Sequence, residues 1–578
     1  MIRNSRTQAS GWITIAPMTY RHFKYEGWLY ALVFLLALAV RTIQLGAMPL
    51  TDSEAAPALQ ALHITQGLKP TLSPHPFYIL STSILFFLYG SGTNFLARFA
   101  PALMGSLLVL VPLLFTERIK PRPGLILALF IAFDPGMVAL SRQAASPIFA
   151  ITFLLIALGC FDKNKLNLAG IFTAFALLSG PSVWLGLIGI AIAWAIYRGV
   201  QSHRPAEPAT VNVKEALVPF VVTLFVAGTL FFIVPNGLSA AFSSIPEFFT
   251  RWTAVSDFPA SRFLISLVVY QPLGILLAIM ALIRGWRHGS RRIISLSLWF
   301  IVALLLAIFI PSREISDIAW ALVPLWALAA LELTRNIHIF AEERNEIIGV
   351  VFLTVFIWAF AWLDFSGMIW IPSGTREYLM RFWLLIGALL LIVISLLLVA
   401  AGWSIRTARI GGVWGLALVL GALGLGGTFG SAGLRGLDHP EIWWSSPIPI
   451  QADLLKASVS DLSEWGMGND NMAPVVIAGL DSPALEWALR EHQVQVVESL
   501  DVSSAPYLVV TPLQNDPALS STYRGQDFTW RKTFLWNETL PQDWIRWVTL
   551  REIPQTGESI ILWARDDLFL NSSNQNSP

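Results

Sequence analysis

Two carboxylates, Asp52 and Glu54, stand close together just after the first long apolar run of the chain, in the stretch 48–54 (MPLTDSE). A carboxylate held at a membrane surface can take a proton from a hydroxyl and so act as a general base. The same residues admit a structural role, because Thr51-x-x-Glu54 is a capping-box pattern in which Glu54 would only tie down a helix start. Pro57 argues against a helix beginning that early and favours a start at Pro57 itself, the position where a missing N–H costs nothing. Both roles stay open. Only two carboxylates cluster here and no ligand partner follows Arg142, so a divalent metal has no support.

Further along, His75 lies between Pro74 and Pro76, where an imidazole could donate to a phosphate or a sugar hydroxyl, or serve simply as a polar group at the interface. Arg142, in 141–147 (SRQAASP), and Arg313, in 311–317 (PSREISD), follow apolar runs on what the charge pattern below makes the less basic side. A guanidinium there suits a phosphate clamp. For Arg313, snorkelling or pairing with Glu314 or Asp317 is the alternative. Asp134 interrupts an apolar run in Phe133-Asp134-Pro135 and is by default a functional candidate, although a kink at Pro135 would explain it as well. Tyr270 and Gln271, before Pro272, interrupt another run; they could line a cavity shared with Asp134 or act as glue between helices.

The elements that must position these groups are membrane helices. Of 578 residues, 55% are hydrophobic and only 13% charged, about half the usual share for a soluble protein, and mean hydropathy is +0.63. That balance excludes a soluble enzyme and a disordered chain, and the formal net charge of +1 gives no reason to expect a nucleic-acid partner. The one cysteine, Cys160, permits neither an intrachain disulfide nor a thiolate metal cluster. The first run, 27–47, follows a polar segment, 1–26, bearing Arg3, Arg6, Arg21 and Lys24, which predicts a cytoplasmic N-terminus. It is too long for a signal-peptide core and is read as a retained span. Twelve further runs predict about thirteen transmembrane helices in all. The run 76–90 is excluded from that count because it falls short of the roughly 20 residues a span needs. It is read as a re-entrant or interfacial helix in a first outer loop, 48–94. With that choice the inner segments hold twenty Lys and Arg, and the outer loops before residue 435 hold eight.

From about residue 434 the composition becomes that of a soluble domain. Strands are predicted at 474–479, 494–497, 507–511, 547–553 and 559–564, with a helix capped by Ser482 and opened by Pro483. The fold expected is thus a polytopic α-helical membrane domain, 27–433, followed by a small α/β domain, 434–570, on the outer face, and a disordered tail, 571–578. Residues 1–434 carry 29 Lys and Arg against 18 Asp and Glu, whereas 435–578 carry 9 against 19, so the near-zero total is a cancellation between the two sides of a membrane. No P-loop, Rossmann glycine fingerprint or HExxH motif is present, so no cofactor is evident.

The stretches 49–61 (PLTDSEAAPALQA), His75-Pro76-Phe77, 94–101 (NFLARFAP), Ser141-Arg142-Gln143-Ala144 and 317–330 (DIAWALVPLWALAA), in this order, resemble the GT-C superfamily of membrane glycosyltransferases. The likeness is to its branch of protein O-mannosyltransferases and lipid A aminoarabinose transferases. It implies a polyprenyl-phosphate-linked sugar as donor and transfer, with inversion, to a hydroxyl of a protein, lipid or glycan at the outer face of the plasma (inner) membrane. It also implies that Asp52 or Glu54 is the base, that Arg142 and Arg313 clamp phosphate or sugar, and that His75 assists. The family pattern usually has adjacent Asp and Glu before Ala; here Ser53 precedes Glu54 and Asp52 is displaced by one. A transporter or lipid-linked-sugar flippase, or a non-catalytic homologue in envelope polysaccharide assembly, are the alternatives.

Overall fold

A computed structural model describes residues 26–200, 213–444, 446–501, 505–513 and 519–569. The polar N-terminal segment up to residue 25 and the tail 571–578, both assigned above from sequence, lie outside these residues. Long apolar segments become helices because only a helix satisfies its own backbone in hydrocarbon. Among the described residues seven helices are long and apolar enough to span a membrane, or nine if each of two bent pairs forms one span. This is fewer than the thirteen read from apolar runs. Several of those runs form helices that are too short to cross alone, among them Ile148–Asp162 with 15 residues and Leu166–Leu177 with 12. The first packs inside the bundle; the second buries Leu166, Ala169, Gly170, Ala174 and Ala176 and leaves Leu168 exposed. The chain is a multi-pass helical membrane protein whose axis, the Ala319–Arg335 helix, is buried along nearly its whole length.

Four helices frame the first loop: α1 (Glu26–Thr42), α2 (Asp52–Thr65), α3 (Pro76–Tyr89) and α4 (Asn94–Leu108). Helix α2 begins at Asp52 behind an extended Thr51, five residues before the start that Pro57 favoured. Pro57 is accommodated inside it. The 14-residue α3 matches the short apolar run and ends on Gly90 at φ +85°, a left-handed stop that glycine adopts without a Cβ penalty. Its exposed end, Phe87-Leu88-Tyr89, presents apolar side chains outward, as an interfacial helix does.

Two spans break at proline, and the breaks meet. The Pro121–Phe133 and Pro135–Ser141 helices bend by 59°, and Ser261–Tyr270 and Pro272–Arg287 by 98°. Each proline removes an N–H and drives the residue before it out of helical geometry. Asp134 repairs both breaks. One of its carboxylate oxygens caps Met137 N at 2.7 Å; the other accepts from Gln271 Nε2 at 3.1 Å and from Trp326 Nε1 at 2.7 Å. The carboxylate is buried and fully bonded, so the kink at Pro135 aims it into a polar knot between three helices.

The C-terminal region is a six-stranded mixed sheet in the order β1-β5-β6-β4-β2-β3. Its strands are β1 (Ile448–Pro449), β2 (Val475–Ala478), β3 (Val494–Val497), β4 (Leu508–Pro512), β5 (Tyr523–Phe534) and β6 (Gln555–Arg565). The parallel trio β3-β2-β4 carries the apolar runs read as strands, and Ser482 caps the helix Pro483–Ala488 as expected. The stretch 547–553 is not a strand. Pro541 opens and Asp543 anchors a helix that runs to Leu550 and puts Trp547 in the core. The longest strand, β5, went unread, because its first half, Arg524-Gly525-Gln526-Asp527, is polar on both faces.

Asp134→Ala removes the acceptor for a buried indole and a buried amide, each orphaned donor costing about 1–3 kcal/mol. The expected outcome is a clear fall in the thermal midpoint of the detergent-solubilised protein, larger than that of Asp134→Asn, which keeps an acceptor oxygen.

Candidate active site

Glu54, at the third position of α2, turns inward and meets Arg98 of α4 in a two-point fork, Nε to Oε1 at 2.8 Å and Nη2 to Oε2 at 2.6 Å. Both side chains are buried. The same carboxylate accepts from Thr51 N at 3.2 Å and from Ala144 N at 3.1 Å, and Arg98 also donates to Met48 O at 2.6 Å and Pro49 O at 2.9 Å. One ion pair thus ties together the segment after α1, the start of α2, α4 and the 142–147 loop. Burial works against the charge on Glu54, but the Arg98 charge and the convergent hydrogen bonds outweigh it and hold the carboxyl below its ordinary range.

Asp52, two residues away, points elsewhere. It pairs with Arg531 at 2.6 Å and accepts from Ser482 Oγ at 2.7 Å and Ala484 N at 3.0 Å, so it fastens the C-terminal sheet region onto α2. Trp487 Nε1 to Asn94 Oδ1 at 2.8 Å and Arg490 Nε to Gly92 O at 2.9 Å extend this seam.

A cavity of about 420 Å³ opens beside the ion pair. Glu54, His75, Arg98 and Arg142 line it, together with two carboxylates from distant segments, Glu247 and Glu314. His75 sits at the N-terminus of α3, and burial lowers its imidazole to about 4, so the ring facing the cavity is neutral at physiological pH. The Arg142 guanidinium spans Val40 O, Arg41 O and Ile43 O at 2.9–3.1 Å and Gln44 O at 3.3 Å. It caps the last carbonyls of α1, where a cation also opposes the helix dipole.

A second cavity, of about 580 Å³, lies between the membrane helices and the C-terminal region. Arg313 and Arg262 line it with Phe258, Phe534 and Trp536. Arg313 bonds only carbonyls, Ile310 O at 3.1 Å and Phe258 O at 3.5 Å, and Arg262 donates to Asn537 Oδ1. Neither is within ion-pair distance of a carboxylate among the described residues. The Arg313–Asp317 pairing weighed from sequence does not form, because Asp317 is taken by Arg251 at 2.6 Å. The cavity thus holds two guanidiniums outside any ion pair, which could receive an anion, together with the carboxylates Asp257, Glu314 and Glu538.

Tyr270 and Gln271 line neither cavity. The Tyr270 hydroxyl donates to the buried Glu441 and accepts from Ile442 N at 3.2 Å, and Gln271 belongs to the Asp134 knot. Glu247, Glu314 and Arg262 were not singled out from the sequence. The one signal was adjacency, Glu314 next to Arg313, and it suggested mutual neutralisation. Among the described residues no group of three His, Cys, Asp or Glu side chains is arranged to hold a metal ion.

The chain matches no protein-family model and no curated protein sequence. Among solved structures it is similar to ArnT from Cupriavidus metallidurans bound to undecaprenyl phosphate, with 15% identity, 84% of this chain and 93% of that chain covered, and a TM-score of 0.54. The apo state of the same protein aligns over the same shares, at 15% identity and a TM-score of 0.51. At this identity the likeness establishes fold. The polytopic helical domain with its C-terminal mixed sheet shares the fold of that ArnT structure.

Because Glu54 titrates below its ordinary value in the folded chain, the stability it contributes is complete above the unfolded carboxyl pKa, about 4.3. It is lost as pH falls through the lower native value. Arg98→Ala, which strands a buried carboxylate, should cost about 3–5 kcal/mol and lower the thermal midpoint at pH 7. That deficit should shrink at acid pH, where Glu54 becomes neutral.

Proposed function

We propose that this protein transfers a sugar from a polyprenyl phosphate to an acceptor hydroxyl at the extracytoplasmic face of the plasma (inner) membrane. The observation that carries the reading is the pairing of two neighbouring cavities. One presents Arg262 and Arg313, neither in an ion pair among the described residues, although Asp257, Glu314 and Glu538 also line it; the other presents a neutral His75 and the carboxylates Glu54 and Glu247, and shares Glu314. Glycosyl transfer from a lipid phosphate develops negative charge on the leaving phosphate and releases a proton from the attacking hydroxyl. Cationic and acidic groups must therefore flank one reaction centre. That the ArnT structure of the same fold holds undecaprenyl phosphate supports this donor class. The basic inner loops and the acidic C-terminal region support an N-terminus inside and the sheet outside.

In this reading Arg313, with Arg262 beside it, holds the donor phosphate and stabilises it as it leaves. His75 offers a hydrogen bond to phosphate or sugar. Arg142 and the Glu54–Arg98 pair build the cavity wall, and Asp52 seats the C-terminal region over it. The acceptor is a protein, lipid or glycan hydroxyl.

One observation favours a second reading, a non-catalytic homologue in envelope polysaccharide assembly. Both first-loop carboxylates are already engaged, Asp52 by Arg531 and Glu54 by Arg98. Turnover separates the two readings. The purified chain in nanodiscs is expected to release undecaprenyl phosphate from at least one undecaprenyl-phosphate pentose or hexose in the presence of lipid, peptide or glycan acceptors. Arg313→Ala should weaken undecaprenyl phosphate binding about tenfold or more, consistent with loss of a charge-assisted contact. Unchanged binding in that variant would remove Arg313 from the donor site.

A further inference from the structure

The two cavities share three lining residues, Glu314, Trp444 and Ser446. Glu314 is the one carboxylate common to both, since Glu54 and Glu247 line only the first and Asp257 and Glu538 only the second. Donor and acceptor held in adjoining cavities can react only where the cavities meet. We infer that Glu314, at this junction, is the group that deprotonates the acceptor hydroxyl, in place of a first-loop carboxylate; the inference rests on the transferase reading above.

The surroundings of Glu314 fit a base. Its side chain is accessible, its carboxylate accepts from Ser316 Oγ at 3.2 Å, and it shares a capping box with Asp317. No cation among the described residues stands within ion-pair distance. Asp317 has drawn off the nearby Arg251, which it binds at 2.6 Å, and Asp317 also receives the backbone N–H of Glu314 at 2.9 Å, fixing where residue 314 leaves the chain. Glu54 has the reverse environment: its lone pairs are spent on Arg98, Thr51 and Ala144. The Trp444 indole, on the shared wall, gives a sugar ring an apolar face to lie against.

The step balances without any other reactant. The acceptor oxygen forms a bond to the anomeric carbon as the bond from that carbon to the phosphate oxygen breaks. The bonding pair leaves with the polyprenyl phosphate, and the hydroxyl proton passes to the Glu314 carboxylate and then to water.

The test uses the full chain in nanodiscs with undecaprenyl-phosphate pentoses and hexoses and the acceptor panel. Glu314→Gln should lower the turnover rate by about 100-fold or more. It should leave undecaprenyl phosphate affinity within twofold of wild type, and Glu314→Asp should keep an intermediate rate. Wild-type turnover in Glu314→Gln overturns the inference, as does an equal loss of lipid-phosphate affinity and rate, which would mark a structural role. Loss confined to Glu54→Gln, with Glu314→Gln active, returns the role to the first loop. A wild-type chain that binds undecaprenyl phosphate but turns over none of the donors overturns the transferase reading itself, and the base assignment with it.

Discussion

The Glu54–Arg98 ion pair is the contact on which the candidate site depends. A carboxylate and a guanidinium this deeply buried are tolerated only when each satisfies the other and their remaining hydrogen-bonding capacity is met. Here that demand recruits four separate pieces of chain: the segment after α1, the start of α2, α4, and the 142–147 loop through Ala144. The cavity wall is the by-product. The same economy governs Arg142, which closes the end of α1, and Asp134, which joins two proline breaks. In the apolar bundle each charged side chain has become a fastener, and the charges left over are the ones that stand out.

Those left over are Arg313, Arg262 and Glu314. They sit where the membrane helices meet the C-terminal sheet region, a boundary held by Asp52 with Arg531, by Asn94 with Trp487 and by Glu441 with Tyr270 and Arg551. The sheet region thereby forms one wall of the second cavity, through Phe534, Trp536 and Asn537. Asp52, displaced by one position from the family pattern, is used to hold that wall in place.

The sequence carried the fold well where one residue type has one physical meaning. Long apolar runs meant membrane helices, the short run at 76–90 was a short helix, and Thr51 with Glu54 was a capping pair. Pro57 misled, because a proline inside a helix forfeits one hydrogen bond, and the packing of α2 against α3 and the Glu54 anchor outweigh it. Thirteen apolar runs stand beside seven to nine helices long and apolar enough to span among the described residues, because several runs fold as apolar helices of 10–17 residues. The site was less legible. Whether Arg313 is free or paired depends on Arg251, 66 residues from the Asp317 it binds, and local spacing cannot report a choice made in three dimensions. Glu247 and Glu314 lie far apart in the chain and line one cavity only once the bundle has closed.

The central claim is that a lipid phosphate binds in the cavity of Arg262 and Arg313 and reacts across the junction at Glu314. A structure of the protein in nanodiscs saturated with undecaprenyl phosphate tests it most directly. The account predicts phosphate density within hydrogen-bond distance of the Arg313 guanidinium, with the polyprenyl chain leaving toward lipid. Phosphate density elsewhere, or both cavities empty of lipid at saturation, would contradict it.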